Sequence, residues 1–202
     1  MALAGGCVAE PGPPRPPGSV PTPAMTTTTD APQVASTDFT GDLRTLLPAR
    51  PPSTVEARLD ATVGDSIGAD AAAAMYTTSE PTMASLAFAR LGFRQAVYTA
   101  WTDRTAGVTV TVGLFQFADF HGAFVWSGGL QRTYEESPDA DRGAMFERIF
   151  EARWYASKPL GDATYLATTY SKGSIAVWIR MVGRTDLPLL TRLAEEQYVR
   201  LP

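Results

Sequence analysis

The residue pairings in this chain that imitate catalytic ones are His121 with Asp119 and two serines that each stand beside a lysine. His121 is the only histidine and Cys7 the only cysteine among 202 residues. Nucleophilic catalysis needs a base held beside the nucleophile. Asp119 stands two residues from His121, but no GxSxG segment supplies a nucleophile elbow. Ser157-Lys158 and Ser171-Lys172 put an amine next to a hydroxyl, yet both pairs fall at expected turns, where such residues solubilise a surface. Asp139, Asp141 and Gly143 imitate the opening of a calcium loop, but its twelfth position, where an EF-hand puts glutamate, is Phe150. Neither GxxxxGKS/T nor GxGxxG occurs. A single cysteine and a single histidine exclude an intramolecular disulfide and a four-ligand Cys/His zinc site. These residue types predict no enzyme, no cofactor and no metal.

Binding chemistry is better represented. Tyr98, Trp101, Phe115, Phe117, Trp126, Trp154, Tyr155, Tyr165, Tyr170 and Trp178 fall mainly on expected strands or on the helix that covers them. Most of these rings are expected in the core. Ile175, Val177, Ile179 and Met181 alternate with Trp178 and Arg180, and the arginine interrupts an otherwise apolar strand. Arg94, Arg153, Arg180 and Trp178 are therefore the candidate ligand-binding set: a groove on a sheet face free of helices, with an arginine fixing an acidic group. The net charge of -4 does not predict a phosphate-backbone footprint, so nucleic acid is not an expected partner.

The elements that would position such a site follow from periodicity. The most regular stretch is Gly107 to Phe117, where Val108, Val110, Val112 and Leu114 alternate with Thr109, Thr111, Phe115 and Phe117. Neither side is charged, which predicts a central strand covered on at least one face. Further strands are expected at 93–102, 148–156, 163–170 and 174–182, the last two joined through Ser171-Lys172-Gly173. Helices are expected at 70–78 and from Pro81 onward, the second capped by Ser79. Met83, Leu86, Ala87 and Leu91 would form its inward face, with Gly92 at its C′ position and Phe93 against Phe88. A covering helix is expected over 120–134, and Thr185 or Asp186 would cap a terminal helix. The segment 135–143 reads as an exposed acidic loop, and 39–48 as a short helical turn on the domain edge. Short links between consecutive strands predict an α+β domain over 41–202. Its antiparallel sheet has about five strands, packed with helices on one face.

Residues 1–40 differ in composition. From Val8 to Asp38 the chain is dominated by Pro, Thr, Ser, Gly and Ala without an aromatic residue, which predicts a disordered Pro/Thr-rich tether. Leu3-Ala4-Gly5-Gly6-Cys7 directly precedes it and resembles the cleavage site of bacterial lipoprotein signal peptides. That resemblance implies acylation of Cys7 and a membrane partner through the lipid. No apolar run reaches the roughly 20 residues that span a bilayer.

Three stretches, DLRTLLPARP (42–51), LGFRQAVYTAW (91–101) and YSKGSIAVWIRM (170–181), resemble secreted or lipid-anchored actinobacterial proteins of unassigned function. The architecture is similar to extracytoplasmic sensor-type domains of those bacteria. The resemblance implies an envelope location and brings no catalytic residue. The expected function is a non-enzymatic ligand-binding or sensor domain held outside the membrane. The alternatives are a protein-interaction module and an enzyme with an unrecognised site.

Overall fold

In a computed structural model of the chain, Val108–Phe117 is the third strand of a seven-stranded antiparallel sheet. The structure describes residues 39–57, 65–76, 81–136, 140–149, 152–157, 164–184 and 186–202. The expectations for the tether, Cys7, Ser79, Asp139, Lys158 and Thr185 lie outside the described residues. In chain order the strands are β1 (Val55–Glu56), β2 (Phe93–Asp103), β3 (Val108–Phe117), β4 (Ala140–Met145), β5 (Arg153–Ser157), β6 (Thr164–Lys172) and β7 (Ile175–Gly183). The helices are α1 (Ala69–Tyr76), α2 (Pro81–Arg90), α3 (Phe120–Glu136) and α4 (Leu187–Arg200). The sheet order is β1-β2-β3-β7-β6-β5-β4, so β3 and β7 are its centre.

The α+β class and the antiparallel pairing are as expected, with four differences. The sheet has six strands longer than two residues plus the two-residue β1, rather than about five. Residues 140–145, within and just beyond the expected acidic loop, form edge strand β4 against β5. Gly143 belongs to that strand, where a Cβ would fall 1.7 Å from a ring carbon of Trp154, so the indole lies across bare backbone. The strand expected from residue 148 begins at Arg153, because Phe146, Ile149 and Ala152 turn into the core instead.

The largest difference concerns the faces. Val108, Val110, Val112 and Leu114 share one face with Ile175, Val177, Ile179 and Met181, under Leu190, Leu193 and Ala194 of α4. Phe115, Phe117, Ala176 and Trp178 take the other face, under α1, α2 and α3. Helices therefore cover both faces rather than one. The uncharged residues on both sides of β3 made this possible, since a strand apolar on both sides needs two covers.

Local signals hold the helices in place. Asp119 Oδ1 accepts from Gly122 N at 2.9 Å and begins α3. Asp186 Oδ1 accepts from Leu189 N at 2.9 Å and caps α4, with Pro188 in its first turn. Gly92 ends α2 with φ +70°, and Phe93 meets Phe88 with ring centroids 4.5 Å apart. Ser66 Oγ donates to Gln95, Gln95 donates to Gln116 and Gln116 donates to the carbonyl of Phe39. This chain of amides ties 39 and 66 to the bulge in β2 at Arg94.

Candidate ligand-binding site

Arg180 stands on the central strand β7, in register with Thr111 of β3 and Ala167 of β6. Paired residues of antiparallel strands point to the same side, so these share the α3 face. The arginine is half-buried, and its guanidinium carbon lies 5.4 Å from the centroid of the Tyr165 ring. Among the described residues Arg180 forms no ion pair. A partly desolvated guanidinium without a carboxylate differs from an exposed one, because water solvates only part of it.

The surrounding rings come from four elements, α3, β5, β6 and β7. Trp178 is 2% exposed, and its Nε1 donates to the Tyr134 hydroxyl at 2.9 Å. Tyr134, near the end of α3, stacks on Tyr155 at 5.1 Å and lies 6.1 Å from Tyr165. Gln131 Nε2 donates to the carbonyl of Thr169 at 3.0 Å and seats α3 over β6. Trp178 therefore orients Tyr134, and Tyr165 carries Arg180. An anion is the partner that a half-buried guanidinium without a carboxylate neighbour suits.

Burial pushes the Tyr134 phenol up to about 12, while the bond from Trp178 and the charge of Arg180 pull the other way. A phenol that binds its proton more tightly when folded adds stability below its unfolded pKa of about 10 and loses it as pH rises to about 12. Unfolding free energy is expected to fall by about 1–3 kcal/mol over that interval on account of Tyr134. Tyr134→Phe leaves the Trp178 N–H without its acceptor, at about 1 kcal/mol at neutral pH, but should show a shallower alkaline loss. Urea unfolding of both proteins from pH 8 to 12 measures the difference, and parallel curves would contradict it.

The structure divides the other candidates. Arg153 is half-buried on the same face as Arg180, opposite Thr169 and one strand further out. Arg94 is exposed at the β2 bulge and reaches only the carbonyl of Ala118, at 3.4 Å. It pairs near Phe117, six residues along β3 from Thr111, which is about 20 Å at strand spacing. The groove expected on a bare sheet face has no place, since α4 and the α1–α3 layer cover both. Tyr134 and Thr111 carried no local signal for this cluster; only the ladder and the seat of α3 bring them to Arg180.

Other reactive side chains have structural partners. Asp119 caps α3 beside the exposed His121, so the two are no catalytic pair. Lys172 Nζ donates to the carbonyls of Leu201 at 2.7 Å and Tyr198 at 3.4 Å, anchoring the end of α4. Among the described residues no three His, Cys, Asp or Glu side chains gather as a metal would need. A depression of about 400 Å³ lies between the β2–β3 turn and the start of α4, lined by Val108, Arg184, Asp186 and Leu187. Its Arg184 is exposed and solvated, and its Asp186 carboxylate is taken up by the α4 cap. Arg180 is therefore the more desolvated of the two guanidinium groups.

No protein-family model matches the chain, and no curated protein matches it. The fold is similar to the crystal structure of the extracellular domain of PknH from Mycobacterium tuberculosis, with a TM-score of 0.55 and 10% sequence identity. The match covers 79% of this chain and 95% of that chain. At this identity the likeness is one of fold. Among the described residues no helix is long and apolar enough to cross a membrane.

Proposed function

We propose that the chain is a non-enzymatic, extracytoplasmic ligand-binding or sensor domain, tethered by residues 1–40 to a lipid on Cys7. The observation that carries the reading is Arg180, half-buried above Tyr165 and without an ion pair among the described residues. The fold likeness to an extracellular domain supports the location. The ligand is a small molecule with a carboxylate or phosphate for Arg180 and a flat or apolar body for Tyr134 and Tyr165. Cys7 and the Pro/Thr-rich stretch supply the anchor and the spacer.

Mass spectrometry of the chain purified from its native envelope tests both parts. Intact mass should show an acyl modification on Cys7; an unmodified cysteine would remove the anchor. Small molecules released on denaturation should include an acidic compound that Arg180→Gln retains about 10–100-fold less well, the range for losing a charged hydrogen bond. Identical extracts from both proteins would refute the Arg180 site.

A further inference from the structure

A cleft of about 100 Å³ runs along the side of α3 that faces the end of β6. Phe120, Phe124, Gly128 and Gln131 line it from the helix, and Ser171 borders it from the strand. The four helical residues recur at intervals of three and four, so one stripe of α3 makes the wall. Phe120 and Phe124 are exposed and stack on each other at 5.4 Å. Single exposed phenylalanines are ordinary, but a stacked pair beside a cleft is apolar surface that a ligand can cover. The exposed Met83 and Leu86 lie on α2, on the other side of α3, and take no part. Ser127 Oγ donates to the carbonyl of Phe124 and Gln131 Nε2 to that of Thr169, so these polar groups are engaged in the frame. Gly128 leaves bare backbone in the middle of the wall, where a Cβ would meet nothing within 4 Å. Glycine weakens a helix interior, and no close neighbour requires one here.

The cleft ends beside a cation. Gln131 reaches Thr169, and Thr169 is the β6 partner of Arg153 on β5. Thr169 and Ser171 pair with Trp178 and Ala176 and so share the α3 face. Arg153 is therefore a diagonal neighbour of Ser171, at about 7–8 Å, a separation that a long side chain spans. It is half-buried and, among the described residues, forms no ion pair. Neither 120–131 nor 164–172 contains a carboxylate. Glu135, one turn beyond Gln131, forms no ion pair with Arg153. An apolar slot that ends at such a guanidinium selects an acid with a short hydrocarbon tail. Volume sets the size of the tail. A water takes about 30 Å³, so the slot holds roughly three to five carbon-sized groups.

We infer that this cleft is a second ligand site, which takes a short branched-chain carboxylic acid with its alkyl group against Phe124 and Gly128 and its carboxylate on Arg153. Arg180 stands two strands away on β7, so this site and the one proposed at Arg180 can fail separately.

The probe is isocaproate, titrated into the full chain and followed by the amide resonances of Gly128 and Ser171. Saturable shifts are expected with a Kd of about 1 mM, the scale for so small a ligand. Isocaproamide, which keeps the shape without the charge, should bind at least tenfold more weakly. Arg153→Gln should lose about tenfold for the acid and nothing for the amide. Gly128→Leu fills the cleft from the helix side and should weaken the acid at least tenfold. Its melting temperature should not fall below the parent's, because leucine favours a helix and its Cβ meets no neighbour there. Arg180→Gln should bind isocaproate as the parent does. No saturation up to about 50 mM, equal affinity for acid and amide, or undiminished binding by Gly128→Leu would each overturn the inference. So would equal losses in Arg180→Gln and Arg153→Gln, which would assign the acid to Arg180.

Discussion

Truncating Phe88 to alanine is expected to lower the unfolding free energy by about 3–5 kcal/mol, the range for removing a buried phenylalanine. Phe88 is 0% exposed and is the hub of the helical layer. Its ring lies 4.5 Å from Phe93, 6.0 Å from Phe115, 6.0 Å from Phe117 and 5.9 Å from Trp126, by centroids. Those neighbours come from β2, β3 and α3, each seated by other contacts, so they cannot all move inward to fill the space. The cavity term therefore adds to the lost transfer energy. For a chain of this size the loss corresponds to roughly 6–20 °C in melting temperature. Urea unfolding followed by tryptophan fluorescence measures it. A loss below about 1 kcal/mol would show that α2 closes down on the sheet, which the rigid aromatic neighbours argue against.

Two glycines of α3 should respond to alanine with opposite signs. Gly122 is buried, and a Cβ there would stand 2.2 Å from the carbonyl oxygen of Leu91 and 3.0 Å from Phe117 Cβ. Neither atom can rotate away, so α3 or the end of α2 has to shift. Overpacking of this kind costs about 1–3 kcal/mol, and alanine's better helix propensity returns up to about 1 kcal/mol of it. Gly122→Ala should be destabilised by about 1–2 kcal/mol on balance. At Gly128 and Gly129 a Cβ meets nothing within 4 Å. Gly128→Ala should gain about 0.5–1 kcal/mol through backbone entropy alone. Chemical denaturation of the two variants decides the matter, and losses of similar size at both would mean that the Leu91 contact does not set the seat of α3.

The legible parts of the fold were those decided within a few residues. Asp186, Gly92 and the Phe88–Phe93 pair announce helix ends by local hydrogen bonding and backbone sterics, and the structure has them where expected. Alternation located β3 and β7 because a strand's period survives whatever covers it. The inward face of α2 was misjudged for a physical reason. Spacing selects Met83 and Leu86 as the largest aliphatic pair, but α1 and α2 meet through Ala72, Ala73 and Ala84, whose small size lets two backbones approach. Larger side chains at that contact would force the helices apart.

The candidate site divides in the same way. By itself the sequence determined two things: one histidine and one cysteine exclude an intramolecular disulfide and a four-ligand Cys/His zinc site wherever the residues lie. It also singled out Arg180 as a charge out of place on an apolar strand. Only the tertiary structure decided what that charge meets. Trp178 and Tyr134 are 44 positions apart, and their bond exists because α3 crosses β6 at one registration and the β3–β7–β6 ladder at another. A shift of one residue in either ladder would send Arg180 to the α4 face, away from Tyr165. Composition is independent of register, whereas a binding site is made of it.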